Sequence, residues 1–485
     1  MREVDRRTIE LGIAGPILME NAGHRVVEFL NEKFSPLPQQ RIVVLCGKGN
    51  NGGDGYVIGR QLWTRFRPES LHVVAVLSED ESEPRRMLTA TGCPVHDSVT
   101  PEMRSATLVV DAVLGTGIAG AARGRALEAI REINNGFPLA RVVAVDVPSG
   151  MNTDSGVSEG EVARADATVT FTAPKICHVL APNCDRMGEL RVAHIGSAAS
   201  LMENVRLHLS GPSYFRHLFA PRKPDSNKGG YGHVLVVGGS EGKSGAAEMA
   251  GLGALRGGAG LVTVASAARR LDTLELMTEP LPSSFEALRA VAANRNVMAI
   301  GPGLGTSPEA AAMVRAAAVE SEQAVVIDAD GLNVLAGQEW HGRGVRVLTP
   351  HPGEMSRLAN CSTADVQSNR VQIAQNYALA HGCILVLKGH RTVIALPDGR
   401  TWINPTGSPA MSTGGTGDIL TGLIAGTLAQ SLDDPASAVI AAVWLHGRAG
   451  ELGARELGER CLIATDLLSF LPEAMRECEN VPDSL

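Results

Sequence analysis

Apolar positions in this chain gather in short continuous runs separated by longer stretches of helical period. Arg41–Cys46, Leu71–Leu77, Leu108–Leu114, Arg141–Asp146 and Ala167–Thr172 read as buried strands. Tyr56–Arg65 reads as a helix between the first two. Ahead of them, Val4–Leu30 reads as helix, loop and helix, broken at Gly12, Gly15 and Pro16. A second series follows: His233–Val237, Gly260–Ala265, Val297–Ile300, Ala324–Ile327, Arg346–Leu348 and Ile384–Leu387 are strands, with Ala246–Arg256 a helix. Strands alternating with helices predict an α/β protein with parallel, doubly wound sheets. Ligands in such folds sit outside the carboxyl ends of the strands. The two series share an architecture without a residue-level repeat.

Between the series, His208–Gly232 changes character, with three prolines from Pro212 to Asp225 and then Ser226-Asn227-Lys228-Gly229-Gly230. This divides the chain into domains at 1–210 and 233–485, joined by a linker at 211–232. The length of 485 residues supports more than one core.

Polar residues cluster where the strands end. After the first strand stands Gly47-Lys48-Gly49-Asn50-Asn51-Gly52-Gly53-Asp54-Gly55, whose GxGxxG core, set between strand and helix, fits a Rossmann-like dinucleotide turn. A structural tight turn is the plainer alternative, yet two amides and a carboxylate exceed what a turn needs. The second strand region runs to Glu79, near where a ribose-binding acid would stand. Asp111 with Gly115-Thr116-Gly117, and Asp146 with Ser149, complete the first set. Asn21, in an apolar helical setting, reads as a buried capping amide in preference to a ligand contact.

In the second series Gly238-Gly239-Ser240-Glu241-Gly242-Lys243-Ser244 misses the P-loop pattern, because Val237 occupies the position of its first glycine; it is a glycine-rich ligand loop. Gly301–Gly305, the Pro350-His351-Pro352-Gly353-Glu354 turn and Lys388-Gly389 each end a strand. Asp328 and Asp330 suit a metal, or Asp330 caps the helix Gly331–Leu335, which is at least as good a reading. The densest stretch is Asn404–Asp418, between the extended run Thr401–Asn404 and the helical run Ile419–Leu428. Gly414, Gly415 and Gly417 leave N–H groups uncovered where that helix starts, a cradle for phosphate with Asp418 beside it.

Composition narrows the function classes. Aromatics are 4% and the net charge is −8, which argues against nucleic-acid binding. Eight cysteines lie scattered without a CxxC pair, which fits reduced thiols in the cytoplasm rather than a zinc or redox site. No signal-like segment follows Met1, and no run is long enough to cross a membrane.

Together these motifs carry a resemblance over nearly the whole chain. The first half contributes Leu18–Gly23, Gly47–Gly55, Asp111 with Gly115–Gly117, and Asp146–Gly150. The second contributes Gly301–Gly305, His351–Glu354, Lys388-Gly389 and Gly414–Asp418. The chain resembles the bifunctional NAD(P)H-hydrate repair enzymes, in which an NAD(P)HX epimerase is fused to an ADP-dependent NAD(P)HX dehydratase. Relative to that family the chain starts inside the first helix.

The resemblance implies a Rossmann-like epimerase domain and a ribokinase-like dehydratase domain. It implies substrate contacts at Asn50, Asn51, Gly52, Gly53, Asp54, Gly115, Thr116, Gly117, Ile118, Ala119, Gly120, Ala121 and Asp146. In the second domain it implies hydrate contacts at Ala246, Gly303, His351 and Asp418, and nucleotide contacts at Lys388, Gly389, His390, Arg391, Thr392 and Gly417. Asp146 and Asp418 would be catalytic. Asn51, Asp111 and Ser149 would hold potassium, an oxygen set that suits a hard cation. Mg²⁺ would accompany ADP without an evident protein ligand, and the protein would be a homo-oligomer. Two rivals stand beside this reading. One is a ribokinase-like small-molecule kinase with a regulatory first domain; the other is a first domain that binds a dinucleotide without catalysis.

Overall fold

The computed structural model describes residues 2–76, 82–118, 120–268 and 271–479. The chain divides into two compact units, Met1–Val205 and Arg206–Leu485.

The first unit is built on seven strands: β1 Arg41–Cys46, β2 Ser70–Ala75, β3 Val95–His96, β4 Leu108–Ala112, β5 Arg141–Val145, β6 Ala167–Phe171 and β7 Glu189–Ala193. They lie in the order β3-β2-β1-β4-β5-β6-β7, all parallel. The strands become a sheet because Val, Ile and Leu on both faces are covered by helices. Val44, Val110 and Val143 face one apolar cluster with the helix Gly15–Phe34; Val43, Val109 and Val142 face another with the helix Gly124–Asn135. The chain turns back between β1 and β4, so the loops after these two strands part there and leave a crevice. Glu79 and the end of the expected second strand lie outside the described residues.

The second unit has ten strands: β8 Leu207–Leu209, β9 His233–Val237, β10 Leu261–Ser266, β11 Met277–Pro280, β12 Val297–Ile300, β13 Ala324–Ile327, β14 Arg346–Leu348, β15 Ile384–Leu387, β16 Val393–Ala395 and β17 Thr401–Ile403. Their order is β11-β10-β9-β12-β13-β14-β15-β16-β17-β8. Pairing is parallel as far as β15, antiparallel through β16 and β17, and parallel again to β8. Here the crevice falls between β9 and β12. Two helices, Ser244–Arg256 and Thr416–Gln430, run from that crevice across the sheet. They touch through backbone: a Cβ on Gly422 would lie 1.8 Å from the Ala250 carbonyl oxygen, and one on Gly426 2.3 Å from that of Ala254.

The expected linker is a correction. Residues 206–210, expected in the first domain, supply β8 to the second sheet, and 211–232 pack within the second unit. Phe215 is fully buried beside Trp444, and Tyr214 lies 5.0 Å from Trp402, centroid to centroid. The prolines and charges that read as a linker line the outside of a segment anchored by its aromatics.

Candidate active sites

The first site is set by glycines that admit backbone where a side chain would not fit. A Cβ on Gly47 would stand 1.8 Å from the Val113 carbonyl oxygen, so β1 and the β4 loop meet only through glycine. Gly49, at φ +90°, turns the chain directly into the helix Asn50–Gln61. The run Asn50–Gly55 is therefore the opening of a helix, where a loop was expected. Gly52 and Gly55 let that helix lie against the sheet: their Cβ atoms would come within 1.9 Å of the Gly47 oxygen and 2.7 Å of Cys46 Sγ.

Above this helix lies a cavity of about 910 Å³. Its apolar walls include Leu18, Met19, Leu114 and Phe171. Of the expected substrate contacts, Asn50, Asn51, Asp54, Gly115, Thr116, Gly117, Ile118 and Asp146 line it. Gly52, Gly53, Gly120 and Ala121 do not. Gly53 packs on Met19, and a Cβ on Gly160 would meet that of Ala121 at 2.9 Å. Ala119 lies outside the described residues. Asn21 is a structural amide, donating to the Ile195 carbonyl at 2.7 Å.

Asp146 follows β5 in the left-handed region at φ +67°, a conformation that costs a non-glycine residue strain. Its Oδ1 accepts from Lys175 Nζ at 2.5 Å and from Thr170 Oγ1 at 3.0 Å. Lys175 is buried and also donates to Thr170 Oγ1 and the Phe171 carbonyl. Sequence reasoning passed over Lys175. The signal available was a lysine a few residues beyond a buried strand, before the apolar Ile176-Cys177. Asp54, on the same cavity, makes no side-chain hydrogen bond among the described residues. Burial, then the charges of Asp146 and Asp5, hold its carboxyl well above the usual range.

Beneath the cavity sits the expected cation set. Asp111 is fully buried. It accepts Ser149 Oγ at 2.5 Å on one oxygen and Ser149 N at 2.8 Å on the other. Burial raises its carboxyl, opposed by those bonds. The Asn51 side chain is buried with neither amide atom partnered, and its Oδ1 would lie 3.4 Å from a Cβ on Gly115. A buried amide oxygen without a donor is the kind of ligand a hard cation takes, as are the Asp111 carboxylate and the Ser149 hydroxyl.

In the second unit the loops after β9 and β12 interlock: Gly239 N donates to the Pro302 carbonyl and Ser240 N to that of Gly303, at 2.9 and 2.7 Å. Gly303, at φ +60°, would carry a Cβ 3.2 Å from that of Ala246, which brings the two expected contacts together. The helix Thr416–Gln430 starts after Gly415. A φ of +97° disfavours any other residue there, and so does crowding, since a Cβ on Gly415 would lie 2.5 Å from Met249 Sδ. Asp418 lies in the first turn of that helix. Burial and the charges of Asp328 and Asp330 push its carboxyl up to about 7, with Lys388 pulling the other way.

Lys388 donates to Asp328 Oδ1 at 2.8 Å, and Thr421 Oγ1 to Asp328 Oδ2 at 2.7 Å. Burial lowers the lysine, but Asp328, Glu354 and Asp418 outweigh it and hold the ammonium above its ordinary value. A Cβ on Gly417 would sit 3.4 Å from Lys388 Nζ, so the lysine lies directly under the glycine loop. Gly389, His390, Arg391 and Thr392 form the turn from β15 to β16. Arg391 Nη1 donates to the Pro405 carbonyl at 2.7 Å, which ties that turn to the stretch before the glycines.

One expectation changes, and one expected contact has a second role. Asp330 does not cap its helix; its Oδ2 accepts from Gly305 N at 2.8 Å and so fixes the β12 loop. His351 is itself a cap: its Nδ1 accepts from Gly353 N and Glu354 N, and Glu354 accepts from His351 N. With Nδ1 an acceptor and burial lowering its pKa, the neutral ring carries its hydrogen on Nε2.

Two family models match the chain, YjeF-related protein N-terminus over residues 15–177 and NAD(P)H-hydrate dehydratase over 234–473. The bifunctional NAD(P)H-hydrate repair enzyme Nnr of Moorella thermoacetica is 38% identical, across 100% of this chain and 97% of that one. The Nnr of Escherichia coli is 35% identical, across 95% and 90%. The chain belongs to this family of bifunctional NAD(P)H-hydrate repair enzymes. Its second unit superposes on the ADP/ATP-dependent NAD(P)H-hydrate dehydratase of Bacillus subtilis, co-crystallised with ATP/Mg²⁺. The TM-score is 0.51 at 33% identity, covering 57% of this chain and all of that one. The expected fold class, a Rossmann-like unit followed by a ribokinase-like unit, holds for this family member. No helix among the described residues is long and apolar enough to cross a membrane.

Proposed function

We propose that the first unit interconverts the R and S hydrates of NADH and NADPH, and that the second dehydrates the S form using ADP. The supporting observation is Asp418: a carboxyl poised at about 7, at the N-terminus of a glycine-led helix and beside Lys388. A group that exchanges its proton near neutrality, next to a phosphate cradle, suits phosphoryl transfer to a hydroxyl.

In the second unit Asp418 takes the proton of the C6 hydroxyl as its oxygen attacks the terminal phosphoryl of ADP, releasing AMP. The C6–O bond then breaks with phosphate leaving, helped by the ring nitrogen pair, and loss of a C5 proton restores the double bond. Lys388, Gly389–Thr392 and Gly417 hold the nucleotide; Ala246, Gly303 and the Nε2–H of His351 hold the hydrate. Mg²⁺ neutralises phosphate charge when bound. Asp328 is committed to Lys388 and Thr421, so Asp330, whose Oδ2 accepts from Gly305 N, is the carboxylate that would be able to hold the ion beside the nucleotide.

In the first unit Asp54 protonates the departing C6 hydroxyl, which leaves as water while the ring nitrogen forms a C=N⁺ bond. Water adds to the opposite face and gives its proton to Asp146. One water leaves and one enters, and the two carboxyls re-equilibrate through solvent. K⁺ held by Asn51, Asp111 and Ser149 would supply a fixed positive charge under the cavity floor. Eight scattered cysteines, none in a CxxC pair, support a reducing cytoplasmic location, and a homo-oligomer is carried over from the family resemblance.

The test is to give the protein freshly hydrated NADH with ADP, then ATP, and follow the absorbance of reduced nicotinamide. Recovery of the whole hydrate pool is expected. Recovery of the S half alone would remove the epimerase. No recovery would remove the dehydratase and favour a small-molecule kinase.

A further inference from the structure

We propose that Lys175 is the positioning residue of the epimerase site, holding the Asp146 carboxyl in one orientation beside the neighbouring acids. This rests on the epimerase reading above. The geometry is that of a built clamp. Lys175 Nζ has three partners, Asp146 Oδ1, Thr170 Oγ1 and the Phe171 carbonyl, at 2.5, 2.6 and 3.3 Å. Thr170 Oγ1 also donates to the same Asp146 oxygen at 3.0 Å. One carboxylate oxygen is thereby bound from two sides, which leaves Oδ2 as the oxygen that works.

Both residues line the cavity, and both are nearly sequestered: the Lys175 side chain is 7% exposed and that of Asp146 14%. A buried ammonium is costly unless paired, and this one has a single carboxylate bonded to it. The turn after β6 sets the lysine in place. Thr172, at φ +66°, reverses the backbone after β6, and Lys175 then heads the short helix Ile176–Val179. Its own N–H is bonded to His178 Nδ1 at 3.1 Å.

The charged and titratable groups around the clamp come from three elements. Asp5 lies on the helix Arg2–Glu10, Asp54 on Asn50–Gln61, and Cys177 and His178 on the helix after Lys175 itself. Asp5 and Asp54 are both carboxyls facing Asp146. Of the two lysines that line the cavity, Lys48 and Lys175, Lys175 is the one bonded to Asp146, and it ties that carboxyl down while Asp54 makes no side-chain hydrogen bond among the described residues. His178 is neutral, lowered to about 4 by burial, so it cannot replace the ammonium. Lys175 thus breaks the symmetry between Asp54 as acid and Asp146 as base.

The experiment compares Lys175→Met and Lys175→Arg in the full chain. Resolved R hydrate is supplied, its conversion to S is followed chirally without ADP, and kcat/KM is measured across pH. Met keeps the stem and volume; Arg keeps the charge. For Met, kcat is expected to fall about 10²-fold with KM little changed, and the acid limb of the profile to move to higher pH. Arg should recover much of kcat and return the limb toward its original position. Unchanged kcat and profile in Met, or Met closer than Arg to the original enzyme, would overturn the proposal in favour of simple packing. A thermal melt of each variant separates loss of fold from loss of rate: a Met variant that melts early while Arg remains inactive also overturns it. If the unsubstituted protein fails to epimerise, the underlying reading falls instead.

Discussion

The two sites place a lysine against an aspartate in opposite ways. In the first unit Lys175 is bonded to Asp146, the aspartate assigned to take the proton. In the second, Lys388 is bonded to Asp328, a bystander, while Asp418 is left among carboxylates and rises to about 7. One arrangement holds a charge in place; the other suppresses one until it is needed. Both pairs join loops at the carboxyl ends of strands, β5 and β6 in the first unit and β13 and β15 in the second. What differs is which carboxylate the lysine reaches, and that depends on a turn after a strand.

The sharpest way to break this comparison is to remove each acid. Asp146→Ala should lower epimerisation about 10³-fold and leave dehydration of pure S hydrate intact. Asp418→Ala should do the reverse, with ADP affinity largely kept because the backbone cradle survives. Chiral analysis of the hydrates, the nicotinamide absorbance assay and nucleotide titration read the three quantities. If either change abolishes both reactions, the sites are coupled and cannot be treated as two independent solutions.

A smaller effect tests the floor of the first site. Asn51→Ala removes the unpartnered buried amide. The potassium concentration giving half-maximal epimerisation should rise about 10–100-fold, with choline as the control cation. An unchanged potassium dependence would place the cation elsewhere and leave the Asn51 amide without an account.

Much of the fold and of both sites is legible in the sequence. Asp146, Asp111 and Asp328 stand at the carboxyl ends of apolar runs, and a doubly wound sheet brings such ends together. Gly47–Gly55 and Gly414–Asp418 announce themselves by glycine density. Their detail does not follow, because a glycine needed for contact and one needed for a loop look alike. Gly52 and Gly55 pack a helix on a sheet, where the sequence reads as a loop. Lys175 escapes notice because its role depends on Thr172 taking a positive φ, and no residue type signals that. His351 reads as a positioned contact because prolines flank it; its helix-capping bonds need the fold of Glu354 back onto it. The short strand β8 is half exposed and carries no period, which is why 206–210 passes for the end of the first domain and 211–232 for a linker.

The smallest effect is the most specific to the comparison. A carboxyl raised in the folded state binds its proton more tightly there than in the unfolded chain. Its contribution is therefore greatest below the ordinary aspartate value of 3.8 and is lost as pH rises toward about 7. Asp418 thus weakens the second unit at neutral and alkaline pH. Asp418→Asn keeps the shape and removes the charge, so it should raise the melting temperature of that unit at pH 8. The expected rise is roughly 2–4 °C per kcal/mol relieved. The gap should close toward pH 4, where both forms are neutral. Asp146→Asn should behave oppositely in the first unit, since it takes away the partner of a buried ammonium and lowers the melting temperature at pH 8. Calorimetry at the two pH values reads both signs. Equal signs for the two variants would mean that the lysines do not divide the sites as the geometry indicates.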